Sequence, residues 1–449
     1  MPRCEIVVCL PTYPFTLELL TPHYEASVLA NRLRSNGSNV VIHDFSTLQT
    51  VDRFFALGSK TLFPNGAEEA GAADLSSRVQ RTKRRRLARV RLSNIVRQLI
   101  VETFSREPLP NTRVWFYAAT ADEFAMCHEA ASILASLRPE ATVRFCGPYG
   151  SRLDGSRPAD NIDCGDSTPP NPAYELDMDA RQGEHSKVMV FTLPDRTSPS
   201  SSFWHARLLA DRVAALQSRH RAAGFHFIAA GPAAAAPETL CREILARRLR
   251  VLYSREAHPG DTPSRAFAAL RLSGCTAIEY CVRSGSQRLL DEHYRHPISV
   301  SRTEGQLRAS AFSGIFTVAH FTYPCPEDDY HTQAETLRLI ERSRPNAVKV
   351  GLMPGVPPSV RQLRDKSRLL ALIEELGIST AVSAKMALMA ALAGHAGQEA
   401  EFARDVERRF ETCDMAGLTS IVDRINAPQR AAAMGACPPF AADLSAVVN

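Results

Sequence analysis

The chain has 449 residues, enough for two or three separately cored domains, with 45% hydrophobic and 22% charged residues, the composition of an ordinary globular protein. No run approaches the roughly 18 apolar residues of a membrane span. The formal net charge of +5 is mild, so nothing in the bulk composition calls for nucleic acid or a lipid surface.

Ile6–Leu10 is a short apolar, β-branched run that reads as a buried first strand, too short for a signal peptide and followed by no small-residue cleavage site. The expectation is a cytoplasmic protein. After the loop Pro11-Thr12-Tyr13-Pro14, residues 23–36 carry Ala26, Ala30 and Leu33 at helical spacing, and Gly37 supplies a stop. Asn39–His43 is the second strand. Residues 50–110 then break the pattern as a polar, basic insertion, helical from about Ser77 to Arg106. Its run Lys83, Arg84, Arg85, Arg86, Arg89 and Arg91 has no interleaved aromatics, so a solvated face or a docking surface for an acidic partner is expected, not a nucleic-acid site.

Strand–helix alternation resumes with Val114–Ala118, the capping-box spacing Thr120-Ala121-Asp122-Glu123, and Phe124, Cys127, Ala131 and Leu134 on one helical face. Thr142–Cys146 is a further strand, closed by Gly147-Pro148-Tyr149-Gly150. Such alternation implies a parallel sheet with helices on both faces, ligands lying beyond the carboxyl ends of the strands. Those ends are Pro11–Pro14, Ala118–Thr120 and Gly147–Gly150.

Residues 151–186, rich in Pro, Asp, Gly and Ser, read as a linker. Six strands follow, at Lys187–Leu193, Phe225–Ala230, Arg250–Ser254, Ala277–Val282, Ile315–Phe321 and Ala347–Met353. The first intervening helix sets Leu209, Val213 and Leu216 on one face and is ended by Gly224. Six βα units in series suit a partial barrel over 187–363, with its active site at the carboxyl ends of the strands. Residues 364–449 are helical in character.

The eleven cysteines are odd in number and scattered, without Cys-x-x-Cys spacing, which argues against a disulfide framework or a locally spaced metal site. Cys9, Cys127, Cys146, Cys275 and Cys281 lie in apolar runs and read as buried small residues. The histidines, among them His205, His220, His226, His293, His296 and His320, show no ligand spacing.

The segment Leu272-Ser273-Gly274-Cys275-Thr276-Ala277-Ile278-Glu279-Tyr280-Cys281-Val282-Arg283-Ser284-Gly285-Ser286, continued by Gln287-Arg288-Leu289-Leu290-Asp291, resembles the fourth-strand region of radical S-adenosylmethionine (SAM) barrels. Phe321-Thr322-Tyr323-Pro324-Cys325-Pro326-Glu327-Asp328-Asp329 resembles their fifth-strand loop, and Pro354-Gly355 stands where the family often has Pro-Gly-Thr. The first 150 residues, with the Pro-rich first loop and Cys146-Gly147-Pro148, are similar to the cobalamin-binding domain of one large subgroup, in which a histidine beneath the cobalt is usually lacking. The resemblance therefore implies an α/β chain: a Rossmann-like cobalamin-binding-type domain at 1–150, the linker, a partial (β/α)6 barrel, and a helical C-terminus.

Cobalamin and SAM are the cofactors so implied. Thr12, Tyr13, Thr120, Gly147, Tyr149 and Gly150 are the residues expected to face cobalamin, although Thr120 equally suits a helix cap. Arg255, Arg283 and Ser284 are expected at the barrel mouth. Arg255 suits a carboxylate, an electron-rich ring or a surface salt bridge equally.

The departures from the family carry as much weight. Its four-iron cluster is held by Cys-x3-Cys-x2-Cys after the first barrel strand; here that loop reads Leu193-Pro194-Asp195-Arg196-Thr197-Ser198-Pro199-Ser200-Ser201-Ser202-Phe203-Trp204, without a cysteine. Serine and aspartate do not replace three thiolates, so an iron–sulfur cluster is expected to be absent. Arg283 stands where the family has Glu, and Ala229-Ala230-Gly231 where acidic residues end the second strand. Three functions follow as alternatives: an auxiliary subunit, with an intact radical SAM enzyme or a second copy of this chain as partner; a cluster-free cobalamin-dependent methyltransferase; or a scaffold without ligands.

Overall fold

The computed structural model describes residues 4–56, 74–105, 111–118, 121–146, 187–195, 202–229, 237–294, 298–325, 327–351 and 360–433. The chain divides into two compact units, Met1–Val188 with Val406–Asp423, and Met189–Asp405 with Arg424–Asn449. The C-terminal segment, expected as a separate helical region, is thus shared between the two.

In the first unit, β1 (Cys4–Cys9), β2 (Asn39–Asp44), β3 (Thr112–Tyr117) and β4 (Thr142–Cys146) form a parallel sheet in the order β2-β1-β3-β4. Parallel neighbours need crossovers, supplied by α1 (Tyr24–Ser35), α2 (Leu48–Ala56), α3 (Asp74–Phe104) and α4 (Ala121–Leu137). Ala26 and Ala30 on α1 are small enough to pack directly on Val7, Cys9, Val40 and Ile42, with Leu33 completing the stripe. The expected polar insertion proves to be half core. Leu48, Val51, Phe54 and Phe55 of α2 are buried, and so are Leu92, Ile95, Val96, Leu99, Ile100 and Phe104 of α3. The arginines between these positions masked a regular i, i+3/i+4 stripe. Arg89 stays exposed, whereas Arg91 lays its guanidinium over the Phe54 ring at 5.2 Å. The Thr120 cap and the 151–186 linker lie outside the described residues.

The second unit adds its strands one after another: β5 (Val190–Asp195), β6 (Gly224–Ala229), β7 (Leu252–Ala257), β8 (Cys275–Arg283), β9 (Phe316–Thr322) and β10 (Ala347–Gly351), in the order β10-β9-β8-β7-β6-β5. Every pairing is parallel. The crossover helices are α5 (Ser202–His220), α6 (Pro237–Ala246), α7 (Ala266–Leu272), α8 (Gln287–Glu292), α9 (Val300–Phe312) and α10 (Tyr330–Ser343). This is the expected six-unit βα series. Four helices follow: α11 (Val360–Glu375), α12 (Ala384–Leu392), α13 (Glu399–Thr412) and α14 (Met415–Ala433).

Leu209, Val213 and Leu216 are buried along α5 as expected. Gly224 does not end that helix: Arg221 takes the left-handed position at φ 50°, and Gly224 opens β6. Within the Ser284-Gly285-Ser286 turn, a Cβ on Gly285 would meet Thr336 Cα of α10 at 2.4 Å, and the Gly285 amide donates to Thr336 Oγ1 at 3.1 Å. Close helix packing is therefore the reason for glycine in that motif.

Among the described residues, no helix is long and apolar enough to cross a membrane.

Candidate functional site

Side chains alternate between the two faces of a strand, and the register of the second sheet decides which share a face. His226 stands beside Ser254, Ser254 beside Ala277, Glu256 beside Glu279, Cys281 beside His320, and His320 beside Lys349. These residues line the inner face. The crossover helices cover the other face, where Tyr253 Oη meets Ser273 Oγ at 2.7 Å and Thr317 Oγ1 donates to Ser310 Oγ on α9 at 2.9 Å.

Part of the inner face is occupied by α12, whose nine residues are all buried except Lys385, which is half-buried. Its first amide, that of Ala384, donates to Glu279 Oε2 at 3.4 Å, and Lys385 Nζ donates to Thr192 Oγ1 on β5 at 3.2 Å. At its far end, Leu392 Cδ1 and Leu388 Cδ2 would lie 2.9 and 3.4 Å from a Cβ on Gly224. A bare glycine at the start of β6 is what admits the helix. Contact with Gly224 places α12 over the amino-terminal part of the face, leaving Glu256, Cys281 and Arg283 toward the carboxyl ends.

Glu279 is the centre of the polar network. Its side chain is 4% exposed, and its Oε1 is 3.2 Å from His320 Nδ1 and 3.1 Å from Lys349 Nζ. Burial, the largest influence, pushes this carboxyl up, but the bonds and charges of His320 and Lys349 outweigh it and hold it at about 2. Such a carboxylate is permanently ionised near neutrality, an anchor and not a proton acceptor.

The neighbouring strands carry softer groups. His226 Nδ1 is 2.8 Å from Ser254 Oγ, and its Nε2 lies 3.9 Å from Glu256 Oε1. Glu256 is half-buried at 29% and is the more accessible carboxylate. Cys281 is pushed up to about 12, by burial first and then by Glu256 and Glu279, so it stays a thiol. His258, just past β7, is shifted down by burial and then by Arg283, favouring neutral imidazole. Glu279 is already answered by Lys349, which leaves Glu256 as the accessible carboxylate, able to accept from a hydrogen-bond-donating ligand.

The residues expected from the sequence fall in different places. Arg283 ends β8 at φ 68° after a register shift, with its guanidinium 5.7 Å from the Tyr294 ring centre. Ser284 is buried; its amide donates to Val282 O at 2.9 Å and its Oγ accepts from the Ser286 amide at 3.1 Å, so it shapes the turn. Arg255, expected at the mouth, has the parity of Tyr253 and lies on the helix-covered face, 2% exposed, its charge acting on Cys241, Cys275 and Tyr280. Sequence reasoning passed over Glu279, Glu256, His226, His320 and Lys349. Charged or imidazole side chains at alternate positions inside apolar strand runs were the available signal. Ala230-Gly231, Pro354-Gly355 and residues 196–201 of the expected cluster loop lie outside the described residues.

In the first unit, the strand order reverses between β1 and β3, which places a crevice beyond their carboxyl ends. Thr12 and Tyr13 stand there, half-buried. The Tyr13 ring stacks on Phe54 with centroids 5.7 Å apart and meets Phe15 edge-on at 5.8 Å. Cys9, Cys127 and Cys146 are buried nearby, as expected, burial pushing each thiol up. Cys281 is the exception among the five, being half-buried. Thr120, Gly147, Tyr149 and Gly150 lie outside the described residues, so only two of the residues assigned to cobalamin are placed at the crevice.

One solved structure shares this architecture over most of the chain. The radical SAM methyltransferase TsrM from Kitasatospora setae, with cobalamin and a [4Fe-4S] cluster bound, matches over 91% of this chain and 100% of its own, at 11% identity and a TM-score of 0.53. The chain shares the fold of that methyltransferase. The same methyltransferase with tryptophan and a SAM analogue bound matches over 78% of this chain and 73% of its own, at 12% identity and 0.49. The cobalamin-dependent SAM radical enzyme OxsB with aqua-cobalamin bound matches over 83% of this chain and 56% of its own, at 12% and 0.40. No protein-family model and no curated protein matches the chain.

Proposed function

We propose that this protein works without an iron–sulfur cluster, as an auxiliary subunit beside an intact radical SAM enzyme in a biosynthetic pathway. The observation that carries the reading is the 193–204 loop, which leaves β5 where the family supplies three thiolates and contains none. The cysteines flanking it in sequence are Cys164 and Cys241. Cys241 is buried on α6, its Sγ 3.7 Å from Tyr253 Oη, and burial pushes its thiol up. The residues present do not fit a [4Fe-4S] cluster. A chain without one has no internal electron donor for reductive cleavage of SAM, so radical chemistry falls to the partner. A second copy of this chain, which lacks the same thiolates, would be a partner in assembly only.

A second reading is favoured by Glu256, the accessible carboxylate of the inner face. A cluster-free methyltransferase would hold the cationic methyl donor there and transfer the methyl group by polar chemistry. Cobalamin, when bound, supplies a cobalt nucleophile that accepts and passes on a methyl cation. Thr12 and Tyr13 would line its crevice.

Anaerobic purification with hydroxocobalamin, followed by the visible spectrum and iron analysis, separates these readings. The auxiliary reading expects sub-stoichiometric iron and no methyl transfer from labelled SAM by the chain alone. Methyl transfer by the isolated chain would overturn it in favour of the second reading, and stoichiometric iron with sulfide would overturn both. A protein that takes up neither corrinoid nor SAM would be a ligand-free scaffold.

A further inference from the structure

Beyond the inner face, three dissimilar metal-ligating groups converge where α8 and the loop after β9 meet. His293 follows α8 directly, and Cys325 and Glu327 lie in the loop between β9 and α10. One ligand atom from each lies within 4.8 Å of the others. His293 Nδ1 is 2.9 Å from Glu327 Oε2, and Cys325 Sγ is 3.6 Å from the same oxygen. These separations approach the ligand-to-ligand edges around a tetrahedral zinc ion, whose bonds are about 2.0–2.3 Å long.

The frame is rigid. Asp328 closes a turn by accepting from the Cys325 amide at 2.6 Å while its own amide donates to Cys325 O at 3.1 Å. Its other carboxylate oxygen accepts from Thr332 Oγ1 at 3.1 Å, tying the turn to α10. On the other side, the His293 amide donates to Leu289 O at 3.1 Å, and its ring meets Tyr294 edge-on at 4.8 Å. The charges around the cluster are Asp328 and Asp329 of the same turn, Arg288, which pairs with Asp329 at 3.3 Å, and Arg283 over Tyr294. Without a metal, protons must bridge a thiol, an imidazole and a carboxylate. One divalent cation replaces those bridges, the thiol proton leaving to solvent.

We propose that His293, Cys325 and Glu327 form a three-ligand zinc site at the carboxyl rim of the second sheet. Thiolate with imidazole selects zinc over magnesium or calcium. Three protein ligands leave a fourth position for water or a substrate atom, the arrangement of a catalytic and not a closed structural site. The site lies by β9, whereas the loop that would have held a cluster leaves β5, so it stands independently of the cluster-free reading.

Co²⁺ is the probe, because thiolate ligation gives it a near-ultraviolet charge-transfer band and tetrahedral coordination an intense visible one. The full-length chain, freed of metal, is titrated with Co²⁺ and then with Zn²⁺. One Co²⁺ per chain with both bands, displaced by Zn²⁺, is expected. Cys325→Ser should lose the charge-transfer band, and Cys281→Ser, altering another thiol of the same sheet, should keep it. Glu327→Gln touches the most exposed ligand, 48% open, and leaves the fold unburdened; it should weaken Co²⁺ binding by about tenfold or more. A missing thiolate band in the wild-type chain, its survival in Cys325→Ser, or unchanged affinity in Glu327→Gln would overturn the proposal.

Discussion

Lys349 on β10 reaches past the intervening strand β9 to Glu279 on β8, donating to the Oε1 that His320 Nδ1 also approaches. Three adjacent strands are thereby tied on their inner face by one carboxylate. Replacing it with an amide removes the charge that Lys349 answers. Glu279→Gln should cost about 2–3 kcal/mol in urea unfolding at neutral pH.

The pH dependence of that loss has a definite sign. The Glu279 carboxyl is held at about 2 against an ordinary 4.5, so its ionised form is favoured in the folded state. The stabilisation, on the order of 3 kcal/mol, is complete above about 4.5 and disappears as pH falls toward about 2. Unfolding curves of wild type and Glu279→Gln should converge across that window; a gap that persists at pH 2 would assign the effect to packing.

The Ser284-Gly285-Ser286 turn predicts intolerance of the smallest side chain. Gly285→Ala sets a methyl 2.4 Å from Thr336 Cα and 2.9 Å from its nitrogen, atoms that no rotamer change can move. A loss of about 2 kcal/mol or more is expected from thermal or chemical unfolding. Unchanged stability would mean that α10 is free to retreat from the turn.

The seating of α12 can be measured by contrast. Leu388 is fully buried against the inner face, whereas Leu363 on α11 is 45% exposed. Leu388→Ala should cost about 2–4 kcal/mol and Leu363→Ala under about 0.5 kcal/mol. Equal effects would argue that the helix does not stay on the sheet.

In the first unit, Glu5, the second residue of β1, is buried and accepts from Trp115 Nε1 at 2.7 Å, with Arg113 at 3.9 Å. Trp115→Phe keeps most of the ring and removes the donor. A loss of about 2 kcal/mol is expected, since the carboxylate then lacks its shortest bond. A hydrogen-exchange experiment should show the loss concentrated in β1 and β3.

The strand sequence and the parallel architecture were legible along the chain, because short β-branched runs separated by amphipathic helices leave few alternatives. The stripe of α3 was not, because the arginine-rich composition hid apolar positions at the right period. The site was largely illegible. Arg255 and Glu256 are neighbours in sequence, yet strand parity sends one under the helices and the other to the inner face. Glu279, His320 and Lys349 are far apart in the chain, and only register brings them together.

By itself, the sequence determined the order of elements and the absence of thiolates between Cys164 and Cys241, since composition and local periodicity need no partner to act. The tertiary structure alone decided which charges meet, that Gly224 admits α12, and that His293 converges on Cys325 and Glu327. Those relations depend on pairing register and on crossover helices, which bring distant residues within a few ångströms without leaving a periodic trace.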